Sequence, residues 1–205
     1  MDTTGIDPQA DLVVFDLETT GLSPARDEIL QIAAVRMRQG RLVREESFFS
    51  YVKPTIPVPY FITSYTGITE ADVRHAPGPE QVLANFSDFV GSSVLIAHNG
   101  HRFDMKFLEW TCNRRSLATR SAPYLDSITL SQQLWGRGGL SHGLDAVLER
   151  LAIRATDVRR HDARGDVLLL ARAIQAMQVI AAQRGGFQRL SPKKGVLPSA
   201  GSALA

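Results

Sequence analysis

Cysteine is almost absent from this chain: Cys112 is the only one in 205 residues. A lone cysteine excludes an intramolecular disulfide and any zinc cluster built on thiolates, and it suits a reducing compartment. No unbroken apolar run approaches the ~20 residues that span a bilayer. Met1 to Ala10 shows no basic stretch leading into an apolar one, so it does not read as a secretory signal. These absences lead to the expectation of a cytoplasmic protein without membrane contact. An excess of one charge is lacking as well. Lys and Arg number 23 against 21 Asp and Glu, a formal net charge of +2. That is not the footprint of a strongly basic coat for nucleic acid, although a carboxylate site would subtract charge locally. What remains, 44% hydrophobic and 21% charged residues, is ordinary for a globular chain able to bury a sizeable core.

The first ten residues are polar and are expected to be flexible. Leu12 to Leu17 is a compact apolar run bounded by turn signals at Thr20-Gly21 and Ser23-Pro24, which predicts a buried strand. Ile29–Val35 and Ser47–Val52 predict two more, with a hairpin turn at Gln39-Gly40. Pro54, Pro57 and Pro59 break the chain into a loop. Val82, Leu83, Phe86, Phe89 and Val90 recur at helical spacing. A short buried strand follows at Val94–Ala97, then a helix over Phe103–Arg114 and a short strand at Tyr124-Leu125 ending at Asp126. Helices are expected around Ile128–Leu134, Leu144–Leu151 and Ala163–Ala182. From Arg184 the composition turns to Gly, Ser, Pro and Lys without periodicity, and a flexible tail over 184–205 is expected. Strands first, then strands alternating with helices, predict an α/β fold with a mixed sheet, its working domain over residues 11–183.

Chemistry is carried by acids. Asp16 and Glu18 stand two apart on the first strand and therefore share a face. Two carboxylates so placed repel each other. A divalent cation, which prefers oxygen ligands, is the natural compensation; a solvated surface pair is the bland alternative. Asp104 opens a helix after a buried strand, where an acid is favoured by the helix dipole alone or serves a site at the strand ends. His161 and Asp166 frame the start of the last helix, with Asp162 in position to cap it. A capped helix beside an incidental histidine would look the same. Singly, none of these signals decides.

Taken in order, the segments resemble the DEDDh class of 3′–5′ exonucleases, the family of the bacterial DNA polymerase III proofreading subunit and of RNase T. Val14-Phe15-Asp16-Leu17-Glu18-Thr19-Thr20-Gly21-Leu22 resembles the first motif, and Ile29 to Val35 the family's second strand. Thr66-Gly67-Ile68-Thr69 resembles its Gly-Ile-Thr segment. Ala97-His98-Asn99 through Phe103-Asp104-Met105-Lys106-Phe107-Leu108 resembles the second motif, and His161-Asp162-Ala163-Arg164-Gly165-Asp166 the third. The likeness runs from about residue 11 to 180. His101 is a departure, since many relatives carry a small residue there.

The resemblance implies a ribonuclease-H-like fold, a mixed β-sheet flanked by helices, and hydrolysis of phosphodiester bonds at the 3′ end of single-stranded nucleic acid. It implies two divalent ions, Mg²⁺ or Mn²⁺. Asp16 would touch both, Glu18 and Asp166 would hold the water-activating one, and Asp104 would act through bound water on the other. Two such ions about 4 Å apart activate water and steady the leaving oxygen. Histidine titrates near neutrality, so His161 is the expected general base. Leu17, Thr19 and Gly21 would contact the terminal nucleotide and Leu22 would wedge against its base. His98, Asn99 and Phe103 would line the other side. Core packing is the bland reading of Leu22 and Phe103. DNA in proofreading or repair is the expected substrate, with a DNA polymerase subunit as a partner. An RNA 3′ exoribonuclease and a non-catalytic nucleic-acid-binding module on the same fold are the competing readings.

Overall fold

A computed structural model describes residues 11–156, 162–188 and 190–199. The apolar run at the start forms β1 (Leu12–Thr19), followed by β2 (Ile29–Arg38) and β3 (Arg41–Tyr51). The turn at Gln39-Gly40 sets Arg38 opposite Arg41, and β3 begins six residues earlier than Ser47. Two short helices, α1 (Tyr60–Thr66) and α2 (Glu70–Val73), follow where the prolines predict only loop. Ile62, Ile68 and Val73 fold this segment back onto Leu30 in a small cluster of its own. Then come α3 (Pro79–Val90), β4 (Val94–Ala97), α4 (Asp104–Arg114), β5 (Thr119–Asp126), α5 (Ser127–Trp135), α6 (Leu144–Arg150) and α7 (Ala163–Gln183). Asp126 caps α5, its carboxylate accepting the Ile128 N–H, and Asp162 caps α7 through the Arg164 N–H.

The described residues make one six-stranded sheet in the order β3-β2-β1-β4-β5-β6. It is mixed: β1 runs antiparallel to β2 and parallel to β4, and β4 runs parallel to β5. Strand alternation divides the core in two. Val13, Phe15 and Leu17 pack with Val82, Phe86, Phe107 and Leu108 of α3 and α4. Leu12 and Val14 face Val167, Leu170 and Ile174 of α7 on the opposite side. By length and composition α7 could cross a membrane, with a window of mean hydropathy 1.4, an apolar stretch the sequence reading did not register. More than half of that window, 56%, is buried inside the domain, so its apolar face is accounted for as core.

The sixth strand, β6 (Lys193–Pro198), corrects the expected tail. Over its own full length it pairs antiparallel with β5, from Thr119↔Pro198 to Tyr124↔Lys193. Leu197 is fully buried, and Leu190 leads in from the core beside α7. Two leucines and a partner strand replace the periodicity that the segment lacks. The boundary expected at residue 183 therefore cuts off a strand of the same sheet. The expected flexible N-terminus, residues 1–10, lies outside the described residues, as does the end of the tail.

Candidate active site

Asp16 and Glu18 continue the row begun by Leu12 and Val14, on the α7 side of β1. Near the end of the strand the register against β2 shifts between Glu18 and Thr19, the kind of irregularity that re-aims side chains at functional edges. Asp166 comes to meet them from the first turn of α7 and is 8% exposed. One oxygen from each of Asp16, Glu18 and Asp166 lies within 4.8 Å of the others. That convergence needs α7 to start at a fixed point over β1. The Ala163 N–H donates to Gln31 Oε1 at 2.8 Å, and Gln31, fully buried, stands opposite Glu18 on β2. Arg164 grips Asp162 at 2.8 Å and lies over the Phe49 ring of β3, 4.5 Å from its centroid.

Asp104 arrives from the other face of the sheet. It opens α4, is 2% exposed, and its Oδ1 accepts the Leu17 N–H at 3.2 Å, at the residue between Asp16 and Glu18. Burial pushes its carboxyl up to about 7; its own N–H and that of Leu17 pull the other way, and the Asp126 charge adds to the rise. A carboxyl removed from water disfavours its charged form, so a cation nearby would restore it. The loop that delivers Asp104 is tightly wound. Asn99 takes a left-handed φ of 61°, which asparagine tolerates better than most residues, and its carbonyl accepts the Arg102 and Phe103 N–H groups. A Cβ on Gly100 would fall 2.7 Å from the Ala97 Cβ, so this position admits no side chain. Asp126 clamps the loop from β5, accepting the Asn99 N–H at 3.1 Å and the His101 N–H at 3.2 Å.

The expected substrate residues lie along this same edge. Leu17 is buried and meets Asp104 through its backbone. Thr19 is buried, and its hydroxyl donates to the Gly21 carbonyl at 2.6 Å. A Cβ on Gly21 would lie 2.5 Å from Asp27 Oδ2, the carboxylate that accepts the Ser23 N–H at 2.7 Å; a side chain there would have to push Asp27 off that bond. Leu22 is 83% exposed, which removes core packing as its explanation. Phe103 is half-buried with its ring 4.8 Å from Phe107, so it does pack on the core. His98 Nδ1 bonds to the Ser127 hydroxyl at 2.8 Å, and Asn99 is exposed. His161 lies outside the described residues. Three of the four expected acids thus converge, and the fourth is tied to the backbone between two of them.

Two residues that shape the site escaped the sequence reading. Gln31 is the one polar residue inside Ile29-Leu30-Gln31-Ile32-Ala33-Ala34-Val35, and a polar interruption of an apolar strand is a detectable signal. Asp126 marks only the end of a strand in the sequence; its grip on the Asn99 loop has no local signal.

Oxygen donors so close, with no sulfur and no nitrogen among them, suit hard divalent cations. Residues 13–174 match the model of the exonuclease family, RNase_T. The chain belongs to this exonuclease family. It is 41% identical over 177 residues to a DNA polymerase III subunit epsilon-like protein of Rhodobacter capsulatus, covering 84% of this chain and 24% of that protein. It is 34% identical over 174 residues to a PolC-type DNA polymerase III of Caldanaerobacter subterraneus subsp. tengcongensis, covering 84% of this chain and 12% of the relative. The chain therefore spans a quarter or less of these relatives. Among solved structures, the nuclease domain of 3′hExo, a DEDDh family member bound to rAMP, superposes with a TM-score of 0.73 at 23% identity, covering 90% of this chain and 96% of the other. E. coli Exonuclease I in complex with a dT13 oligonucleotide gives 0.67 at 20% identity, covering 86% and 43%. These two likenesses are of fold.

Proposed function

We propose that this chain removes nucleotides one at a time from the 3′ end of single-stranded DNA in a metal-dependent hydrolysis, in the setting of proofreading or repair. The observation that carries the reading is the convergence of Asp16, Glu18 and Asp166 within 4.8 Å. Mutually repelling carboxylates at the end of a buried strand have little structural use, and a binding module without chemistry would have no need to keep them. Bound divalent ions, Mg²⁺ or Mn²⁺, supply an activated water and neutralise charge on the phosphoryl group. Asp16, Glu18 and Asp166 are the residues that would hold them, with Asp104 beside the backbone of Leu17 supporting through water. His161 is the general base in this reading. Leu22, exposed after the Gly21 turn, would press on the terminal base in this reading, and Thr19, His98, Asn99 and Phe103 would flank it. DNA is favoured because the 41% and 34% identical relatives are named as DNA polymerase III proteins; a polymerase subunit is the partner consistent with those names.

The test uses matched DNA and RNA single strands carrying a label near the 3′ end, with Mg²⁺ or Mn²⁺ and with excess chelator. Labelled mononucleotides should appear from the free end of DNA, faster than from RNA, and only with metal. Equal loss from a closed circle, or full activity in chelator, sinks the reading. Preference for RNA would keep the nuclease and move the substrate.

A further inference from the structure

Beside the acidic corner, at the carboxyl ends of β4 and β5, lies a second opening of about 370 Å³. Its walls come from three places distant in sequence: His101 and Arg102 on the loop that delivers Asp104, Gln132 and His142 from the α5–α6 segment, and Lys193 from β6. Asp126 is the only acid among its lining residues. Both oxygens of that carboxylate are already taken, Oδ1 by the Asn99 and Ile128 N–H groups and Oδ2 by the His101 N–H. Arg102 and Lys193 are exposed, and neither forms an ion pair among the described residues. The His101 ring is held by Tyr124, its Nδ1 2.7 Å from the phenolic oxygen and the two rings stacked at 6.3 Å. This leaves Nε2 as the imidazole's remaining hydrogen-bonding atom. His142 is likewise fixed by Nδ1 to the Ser131 hydroxyl at 2.7 Å, while its buried Nε2 has no hydrogen-bond partner among the described residues.

An opening with spare cations, oriented ring nitrogens and a spent carboxylate suits a ligand that is anionic and rich in acceptors. Arg102 precedes Asp104 by two residues, so the loop that delivers Asp104 also lines this cleft, through Asn99, His101 and Arg102. We propose that this cleft holds the phosphodiester backbone of the strand being shortened, upstream of its 3′ end, with Arg102 and Lys193 as cationic contacts and His101 as an oriented hydrogen-bond partner. The assignment rests on the nuclease reading for the direction of the strand. It gives a use to His101, the departure in the second motif, and to β6.

The test is binding of a fluorescent single strand to the intact chain in chelator, across a salt series, for wild type and the double variant R102A/K193A. Each phosphate contact contributes about 0.7 to the slope of log affinity against log salt for single strands. The double variant should therefore flatten the slope by about 1.4 and weaken binding roughly tenfold at moderate salt. Hydrolysis of a dinucleotide, too short to reach the cleft, should keep its wild-type kcat/KM. The conservative R102K/K193R should restore both slope and affinity. An unchanged slope in R102A/K193A, with the melting temperature of wild type, overturns the proposal. A loss seen only on duplex with a recessed end overturns it in favour of the complementary strand. If wild type hydrolyses no 3′ end with any metal and the slope still falls, the nuclease reading fails and the phosphate subsite stands.

Discussion

The two openings along the carboxyl edge of the sheet differ in charge and in how they are built. Over β1 three carboxylates crowd within 4.8 Å, and a fourth, Asp104, is buried against the strand. Over β4 and β5 the single acid is consumed by backbone N–H groups while Arg102 and Lys193 stay exposed. The acidic corner draws on β1 and the first turns of two helices, elements anchored in both halves of the core. The basic cleft draws on the loop before α4, the end of β5, the first turns of α5, the α5–α6 connection and the edge strand β6. On the proposed reading, bond breaking and strand holding fall on separate ground: charges that must be placed closely sit at the acidic corner, and charges that need only attract sit at the cleft.

The sharpest way to break this division is Asp16→Ala. Hydrolysis should fall to background, while single-strand binding in chelator holds or strengthens because a like charge has been removed. Melting should change little. If binding falls in step with turnover, or if the fold collapses, the acidic corner is not a purely chemical site. His161→Ala comes next, with an expected loss of roughly 10²–10⁴ in kcat, the usual range for general acid–base catalysis, and metal-dependent binding retained. The wild-type rate should rise with pH as the imidazole loses its proton; a variant with near-wild-type turnover would leave His161 as a mere neighbour of Asp166.

A smaller effect belongs to Asp104, and it has a definite sign. Its folded carboxyl is raised to about 7, above the unfolded value. The unfolded chain gives up this proton first, so without metal the group's contribution is most favourable below the unfolded pKa. It declines as pH rises through the window up to about 7, then levels. Thermal melts of Asp104→Asn and wild type in chelator should diverge in the variant's favour from pH 5 to pH 8, a span that covers the upper part of that window and the plateau above it. Mg²⁺ should narrow the gap at pH 8 by stabilising the charged wild type. Melting curves that stay parallel across that range would mean Asp104 is ionised without cost. The smallest effect is at Cys112, fully buried in the α3–α4 core, where burial pushes the thiol up to about 11. Iodoacetamide at pH 8 should leave it unmodified in the native chain and modify it in denaturant. Rapid native labelling would show that the core behind Asp104 opens.

Legibility in the sequence follows the same division. Asp16 and Glu18 could be placed on one face because strand alternation is a local rule. Asp166 could be placed on the first turn of a helix because Asp162 announces its cap. Asp104 was legible as the acid after a buried strand. The basic cleft was not legible, because Arg102, Gln132 and Lys193 meet only through the crossing of β4, β5 and β6. Its last wall was read as a tail: Lys193-Lys194-Gly195-Val196-Leu197-Pro198 has weak intrinsic strand character, and a strand of this kind exists through its partner rather than its own propensity. Likewise α1 and α2 are too short to show a helical period, and three prolines precede them.

The placement of β6 also bears on how this sheet behaves in a crowded solution. An edge strand offers a row of open backbone groups on which another chain can build. Without β6, that edge would be β5, whose Tyr124 and Leu125 are buried. With it, the edge begins in two lysines and ends in a proline, side chains that discourage strand addition by charge and by the missing N–H. The opposite edge, β3, carries Arg41, Arg44, Glu45 and Glu46 in its first half. Among the described residues the β6 edge is therefore a poor template for strand addition, whereas β3 carries such charge only in its first half and turns to Ser47-Phe48-Phe49-Ser50-Tyr51 at its end, so any growth of the sheet by a second copy is expected at that end of β3.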